Sequence, residues 1–437
     1  MCVEKWDWGS DGRRAMDIED KQLIQITREL VLEGFEPSYG RLTEEFPSRP
    51  MWQRMRELGS ELWLDTGDIG AVAALWTGEF GALTTNNTLL NKEVQKGTYD
   101  GLIRRSVEAL RGEFAQMESR FMVREIAFVL NAYHALRLVE RFDAFVSVEE
   151  HTDLANDLGG AIAYARRYYA ICPRRFFVKI PLTAAGLLAA REAGQEGIPV
   201  NLTLGFSARQ NVLVIVIAQP RYCNVFLGRL NQVVAENKLG DGNGVGEKAV
   251  TASQRAVRAV PAGDGAVTKQ IGASLRSGEQ VRDLAGVDVL TIPPGAAEGF
   301  LKLRMRPERL EGGLKDFQPK WASGVKASEW RLDSLWRVPK GLEGTARDIA
   351  ARHGLDPEKL LELLAGAGFG DILPRWSESQ VEMAAADGKI PKLARWRELL
   401  RKGEIGLDAL MNLHGLQSFA ADQEAMDERI RTFIPVL

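Results

Sequence analysis

The chain has 437 residues, 45% of them hydrophobic, enough for one large domain with additions or for two to three ordinary ones. With 56 Lys plus Arg against 59 Asp plus Glu, it carries a net charge of −3 and no block of one sign, which disfavours nucleic acid as a partner. Cys2, Cys172 and Cys223 show no CxxC spacing, no stretch approaches the roughly 20 apolar residues of a membrane span, and the polar start "MCVEKWDWGSDGRR" is unlike a signal peptide, so a soluble cytoplasmic protein without disulfides is expected.

Residues 18–58 carry helical spacing in "DIEDKQLIQITRELVLEG" and again in "RPMWQRMRELGS", and 1–59 reads as a helical preface. From about residue 60 the texture changes to short β-rich runs separated by helical segments. These runs are "LWLDTGD" (62–68), "ALTTNN" (82–87), "FVSVEE" (145–150), "FFVKIPL" (176–182), "VNLTLGF" (200–206), "YCNVFLGR" (222–229), "TKQIGASL" (268–275) and "VDVLTIPP" (287–294). Between them lie helical patterns such as "TAAGLLAAREAGQEG", the alternation expected of parallel strands with crossover helices. Eight such units over 60–300 match a (β/α)8 TIM barrel, so the fold class is α/β with N- and C-terminal helical extensions. "SARQNVLVIVIAQP" (207–220) is β-branched enough for a strand, but a ninth strand would leave no crossover between the fifth and sixth units, so a buried helix is expected. In the extension, 301–437, the Trp- and Arg-bearing stretch 301–340 has weak periodicity and receives no assignment. Helices are expected in "TARDIAARHG", in "DPEKLLELLAGAG" with Asp356 as N-cap and Pro357 at the first helical position, and in two further segments.

The active site of such a barrel lies at the C-terminal ends of its strands. Asp65 falls near the end of the first predicted strand, Asn86 of the second, Glu149 of the third, Lys179 of the fourth, Asn201 and Thr203 of the fifth, Arg229 of the sixth, and Ser274 with Arg276 of the seventh. Lys179 stands in the apolar run "FFVKIPLTAAG", and lysine is almost never fully buried without a partner. A desolvated amine has its pKa lowered, and the neutral amine attacks a carbonyl to give a Schiff base, with the apolar flank keeping it neutral. A snorkelling strand-end lysine paired with Glu149 fits this residue alone equally well. Asp65 and Glu149 suit the proton transfers of such chemistry, and each singly also suits a turn or cap. Arg229 and Arg276 suit a phosphate, which guanidinium binds bidentately, as well as surface ion pairs.

Together these segments resemble a known family. "LWLDTGDI", "LTTNNTLL", "VSVEEHTDLANDL", "VKIPLTAAG", "IPVNLTLGFSARQ", "FLGRL", "IGASLRS" and "VDVLTIPP" occur in the order and approximate spacing of the transaldolases, over about 62–300. The resemblance implies a (β/α)8 barrel that forms a lysine Schiff base and needs no metal or organic cofactor. It implies Lys179 as the imine-forming lysine, Asp65 as the aspartate that handles the hydroxyl proton, and Glu149 working through a water held also by Thr203. Asn86 and Asn201 would hydrogen-bond the dihydroxyacetone portion, and Arg229, Ser274 and Arg276 would hold the sugar phosphate. Phe226 falls where transaldolases have phenylalanine and fructose-6-phosphate aldolases have tyrosine, which favours transfer over simple cleavage. Two departures stand out: Asn87 replaces the proline of the usual TTNP, and Asn224 with Val225 replaces Ser-Pro, where Asn224 offers a longer hydrogen-bonding side chain for the substrate.

Other motifs carry less. "LGDGNGVGEKA" (239–249) follows no strand and has no GK[ST], so it reads as a flexible loop of the sixth unit near the mouth, not a phosphate loop. His134, His151, His353 and His414 have no metal-ligand spacing. "TARDIAARHGLDPEKLLELLAGAG" has helix-turn-helix character without a basic surface. The expected function is transfer of a dihydroxyacetone unit from a ketose phosphate, of fructose 6-phosphate or sedoheptulose 7-phosphate type, to an aldose phosphate. The alternatives are an aldolase or a specialised transaldolase with another sugar and, from a different class, a non-catalytic scaffold. The expected partners are sugar phosphates, with neither nucleic acid nor membrane, and a homodimer is left open.

Overall fold

The structure is a computed structural model that describes residues 20–36, 39–40, 46–261 and 267–435. Strands β1 (Glu61–Asp65), β2 (Phe80–Thr84), β3 (Phe145–Glu149), β4 (Phe176–Pro181), β5 (Val200–Thr203), β6 (Tyr222–Phe226), β7 (Lys269–Ala273) and β8 (Val289–Ile292) follow one another around a closed parallel barrel. All eight predicted runs are therefore strands, and the fold is the expected (β/α)8 barrel with additional helices at both termini. Cys172 and Cys223 are free and buried, and Cys2 lies outside the described residues. Among the described residues no helix is long and apolar enough to cross a membrane.

Side chains alternate faces along a strand, so each strand sends one set of residues to the surrounding helices and the other into the barrel. On β4, Phe176, Val178 and Ile180 join the large core against the helices, whereas Phe177 points inward to Trp63, Tyr222, Ile271 and Val289. Trp63 and Phe177 stack with centroids 5.7 Å apart, and Tyr222 meets Trp63 edge-on at 4.7 Å. This apolar layer fills the barrel. Two positions further along β1, β4, β6 and β8 the inward residues become polar: Asp65 above Trp63, Lys179 above Phe177, Asn224 above Tyr222 and Thr291 above Val289. The cavity floor is thus built by the period-2 pattern of the strands.

The segment 207–220 is a helix, Ala208–Ile217, capped by Ser207, whose side chain accepts from the Gln210 amide. Every residue in it is buried, because the helix Leu342–Ala350 of the extension covers its outer side; an apolar surface all round suits such a position. The Gly-rich stretch 239–249 is a packed turn leading into the helix Val245–Ala259, in place of the loose loop expected. A Cβ on Gly246 would fall 2.2 Å from the Leu227 carbonyl, so the residue there must be glycine for the close approach.

Beyond β8 and its helix Pro294–Leu301, the stretch without assignment is irregular chain with short 3-10 turns at Pro307–Arg309, Ala327–Trp330 and Leu332–Leu335. Asp356 caps Pro357–Gly366 as expected, accepting from the Lys359 amide. Three helices follow, one more than the sequence led us to expect: Glu378–Asp387, Arg397–Lys402 and Leu407–Arg431. Gly388 and Gly403, both with left-handed φ, end the first two.

The C-terminal helix Leu407–Arg431 lies across the C-terminal ends of the strands. Asn412 Nδ2 donates to the carbonyls of Leu182 and Leu204, 3.0 and 2.9 Å away, just past β4 and β5. His151 Nδ1 accepts from the Asp153 amide, which leaves Nε2–H to donate to Asp427 at 3.1 Å. Buried Asp408 accepts two hydrogen bonds from Arg209, at 2.7 and 2.8 Å, and one from the Ser207 hydroxyl at 2.6 Å. Arg209 also donates to Asp371 at 2.8 Å, so removing Asp408 leaves the guanidinium one acid but strips it of its bonds to the other, a loss below the about 3–5 kcal/mol of a buried pair broken outright. Asp408→Ala is therefore expected to lower the urea midpoint correspondingly; an unchanged midpoint would contradict this role for the pair.

Candidate active site

A cavity opens at the C-terminal ends of the strands, beneath the C-terminal helix. Of the residues singled out from the sequence, Asp65, Asn86, Lys179, Asn201 and Thr203 line one part, and Asn224, Phe226, Arg229, Ser274 and Arg276 the rest. Glu149 lies behind Lys179, itself buried. The register explains the juxtaposition, since Glu149 pairs with Lys179 and Lys179 with Asn201 on successive strands, so all three share one layer.

Lys179 is buried with polar company. Its Nζ lies 3.4 Å from Glu149 Oε1 and 3.5 Å from the Thr85 carbonyl, with the Phe419 ring centred 5.6 Å away. The expectation that its apolar sequence neighbours surround the amine is corrected: Val178 and Ile180 face the helices, on the opposite side of the strand. Burial raises the Glu149 carboxyl above the usual range, opposed by Lys179 and by a hydrogen bond to Oε2 from the backbone N–H of Asn87 at 3.1 Å. A proline at position 87 would have no N–H to give. Burial also raises Asp65, opposed most by Lys179 and then by Arg276.

The amides form a chain across the floor. Asn201 Nδ2 donates to Ser147 Oγ at 2.9 Å, Asn224 Nδ2 reaches Asn201 Oδ1 at 3.5 Å, and Asn224 Oδ1 accepts from the Gly205 amide at 3.1 Å. Thr203 Oγ1 is buried and makes no hydrogen bond among the described residues, nor does Arg229 Nη1. Buried polar atoms in folded proteins find partners, so these two point to a ligand or water in the cavity. Burial, reinforced by Arg276, lowers Arg229 to about 10, so it stays charged at neutral pH. Burial likewise lowers Arg276. Ser274 sits at φ +65°, a left-handed conformation that is strained for serine, and Gly228 lets the helix that follows β6, Leu227–Glu236, approach it: a Cβ there would meet the Ser274 carbonyl at 2.1 Å. Two cations so placed form a ready site for an anion.

Three contributors were missed. Phe419 and Lys389 line the cavity from the extension, and no motif in the sequence connects them with it. The N–H of Asn87 was visible only as a departure from TTNP. Asn86 carries a second duty, capping the helix Asn87–Gln95 through the Leu89 amide.

A family model described as transaldolase/fructose-6-phosphate aldolase matches residues 62–332. The chain belongs to the transaldolase family. It is 31% identical over 324 residues to a transaldolase of Xanthomonas euvesicatoria pv. vesicatoria (strain 85-10), covering 70% of this chain and 97% of that protein. A transaldolase of Xanthomonas campestris pv. campestris (strain B100) is 33% identical over 322 residues, with the same coverage. A probable transaldolase of Caulobacter sp. (strain K31) is 35% identical over 158 residues, covering 36% of this chain and 66% of that protein. The match to the family model ends before Lys389 and before the C-terminal helix that carries Phe419.

Asn87 occupies the first position of its helix and Asn86 before it is extended, so proline fits there without disturbing the helix. Asn87→Pro is expected to raise the Glu149 pKa further, because it deletes a donor to the carboxylate, whereas Asn87→Ala keeps the N–H and the titration. Carboxyl-labelled NMR reads both; a Glu149 titration that is the same in the proline variant as in the wild type would show that this bond does not act on the carboxylate.

Proposed function

We propose that the chain transfers a dihydroxyacetone unit between sugar phosphates through an imine on Lys179, as the names of its relatives suggest. The observation that carries this reading is one cavity holding a buried lysine against a carboxylate, a second, half-buried carboxylate, and two arginines that form no ion pair among the described residues. Lys179 attacks the C2 carbonyl of the ketose phosphate after passing a proton to Glu149, which lies 3.4 Å away. Glu149 then returns a proton, through a water held at the unpartnered Thr203 hydroxyl, and the carbinolamine loses water to give the imine. Asp65, its carboxylate made more basic by burial, takes the hydroxyl proton as the C3–C4 bond breaks; the electron pair moves into the iminium and leaves an enamine. The aldose phosphate departs and the enamine adds to the aldehyde of another. Arg229, Arg276 and Ser274 hold the phosphate, and Asn86 and Asn201 the dihydroxyacetone hydroxyls. No metal or organic cofactor enters these steps.

One observation favours a shifted sugar preference within the same chemistry. Asn224 replaces the family serine and its amide is engaged by Gly205 and Asn201, so the contact offered to substrate differs.

Incubation with fructose 6-phosphate and a four-carbon aldose phosphate is expected to yield a seven-carbon ketose phosphate. Without the acceptor no free dihydroxyacetone should accumulate, and its accumulation would indicate an aldolase instead. Lys179→Ala should lower transfer by about 10³-fold or more, and a variant that still transferred would overturn the mechanism. Asp65 acts as a base only when ionised, and burial holds its pKa up, so the acid limb of the rate profile should lie above the ordinary aspartate value of about 4.

A further inference from the structure

We propose that Lys389, carried over the mouth by the C-terminal extension, is a third cationic contact for the phosphate group of the substrate and sets the preference for phosphorylated sugars. This rests on the transaldolase reading above. Lys389 lines the same cavity as Arg229, Ser274 and Arg276, from the exposed rim. It makes no ion pair or side-chain hydrogen bond among the described residues.

The chain on either side of Lys389 is anchored. Gly388, at φ +82°, ends the preceding helix. Asp387, its side chain fully buried, accepts from Trp396 Nε1 at 2.9 Å and from the Lys392 amide at 3.2 Å, and lies 3.6 Å from His414 Nε2 on the C-terminal helix. Ile390 is buried, and the Pro391 carbonyl accepts from Asn237 at 2.9 Å. The backbone of Lys389 is therefore pinned while its ammonium is left without a partner, an arrangement with no evident value for packing.

The surroundings add to this. Partial burial, Arg229 and Arg276 all push the Lys389 ammonium down, whereas Asp422 is the acid that opposes them, and it already accepts from the Thr88 hydroxyl. Lys92 adds a further like charge nearby. Three cations facing one cavity repel one another until an anion occupies it, and a phosphate monoester presents three acceptor oxygens and close to two negative charges. The extension thus completes a clamp that the barrel alone furnishes with two arginines.

The test uses the full chain, with inorganic phosphate as the probe in calorimetry and aldose phosphate as the variable substrate in transfer assays. Lys389→Gln is expected to weaken phosphate binding about tenfold and to raise KM for the aldose phosphate similarly, with kcat changed less than about twofold; Lys389→Arg should recover most of both. Unchanged phosphate binding in Lys389→Gln, failure of arginine to rescue, or a fall in kcat with KM unmoved would overturn the proposal. Failure of the underlying reading would show differently, as a wild-type protein that binds phosphate in a Lys389-dependent way but performs no transfer.

Discussion

The contact between Lys179 and Glu149 inside the barrel is the constraint on which the rest of the structure depends. A lysine and a carboxylate removed from water lose several kcal/mol of hydration each, and their attraction recovers this only with well-placed further partners. Those partners come from the segment just past β2: the Thr85 carbonyl for the lysine and the Asn87 N–H for the glutamate. The apolar layer of Trp63, Phe177 and Tyr222 closes the barrel below, and Phe419 covers the lysine from above. Barrel closure is what brings these pieces within reach of one another, since β8 must pair with β1 before Asp65 and Thr291 can face the same cavity.

Much of this was legible from the residues. A polar side chain at the C-terminal end of an otherwise apolar strand is a strong signal in a barrel, and the residues chosen that way surround a single cavity. The buried helix Ala208–Ile217 was found by topology where propensity pointed to a strand, because burial on all sides selects apolar residues whatever the backbone does. The surroundings of Lys179 were misread for a simple reason: residues adjacent in a strand point to opposite faces, so the apolar neighbours seen in the sequence are the ones that never touch the amine.

The contributions of the extension were not legible. Phe419 follows Lys179 by 240 residues, on a helix whose mixture of buried and exposed positions carries no motif. What fixes that helix is a set of specific polar contacts, Asp408 with Arg209, Asn412 with two strand-end carbonyls and Asp427 with His151. Each joins groups distant in sequence, and none has a local pattern that reveals its partner. Stability and site geometry are therefore coupled: the bonds that hold the extension to the barrel also roof the cavity.

The central claim is that Lys179 is the nucleophile of this cavity. Borohydride reduction in the presence of fructose 6-phosphate, followed by peptide mapping, tests it most directly. A dihydroxyacetone- or sugar-derived adduct on Lys179, absent when either ketose or borohydride is left out, is the result predicted. An unmodified Lys179 across several ketose phosphates, or an adduct on another lysine, would contradict it.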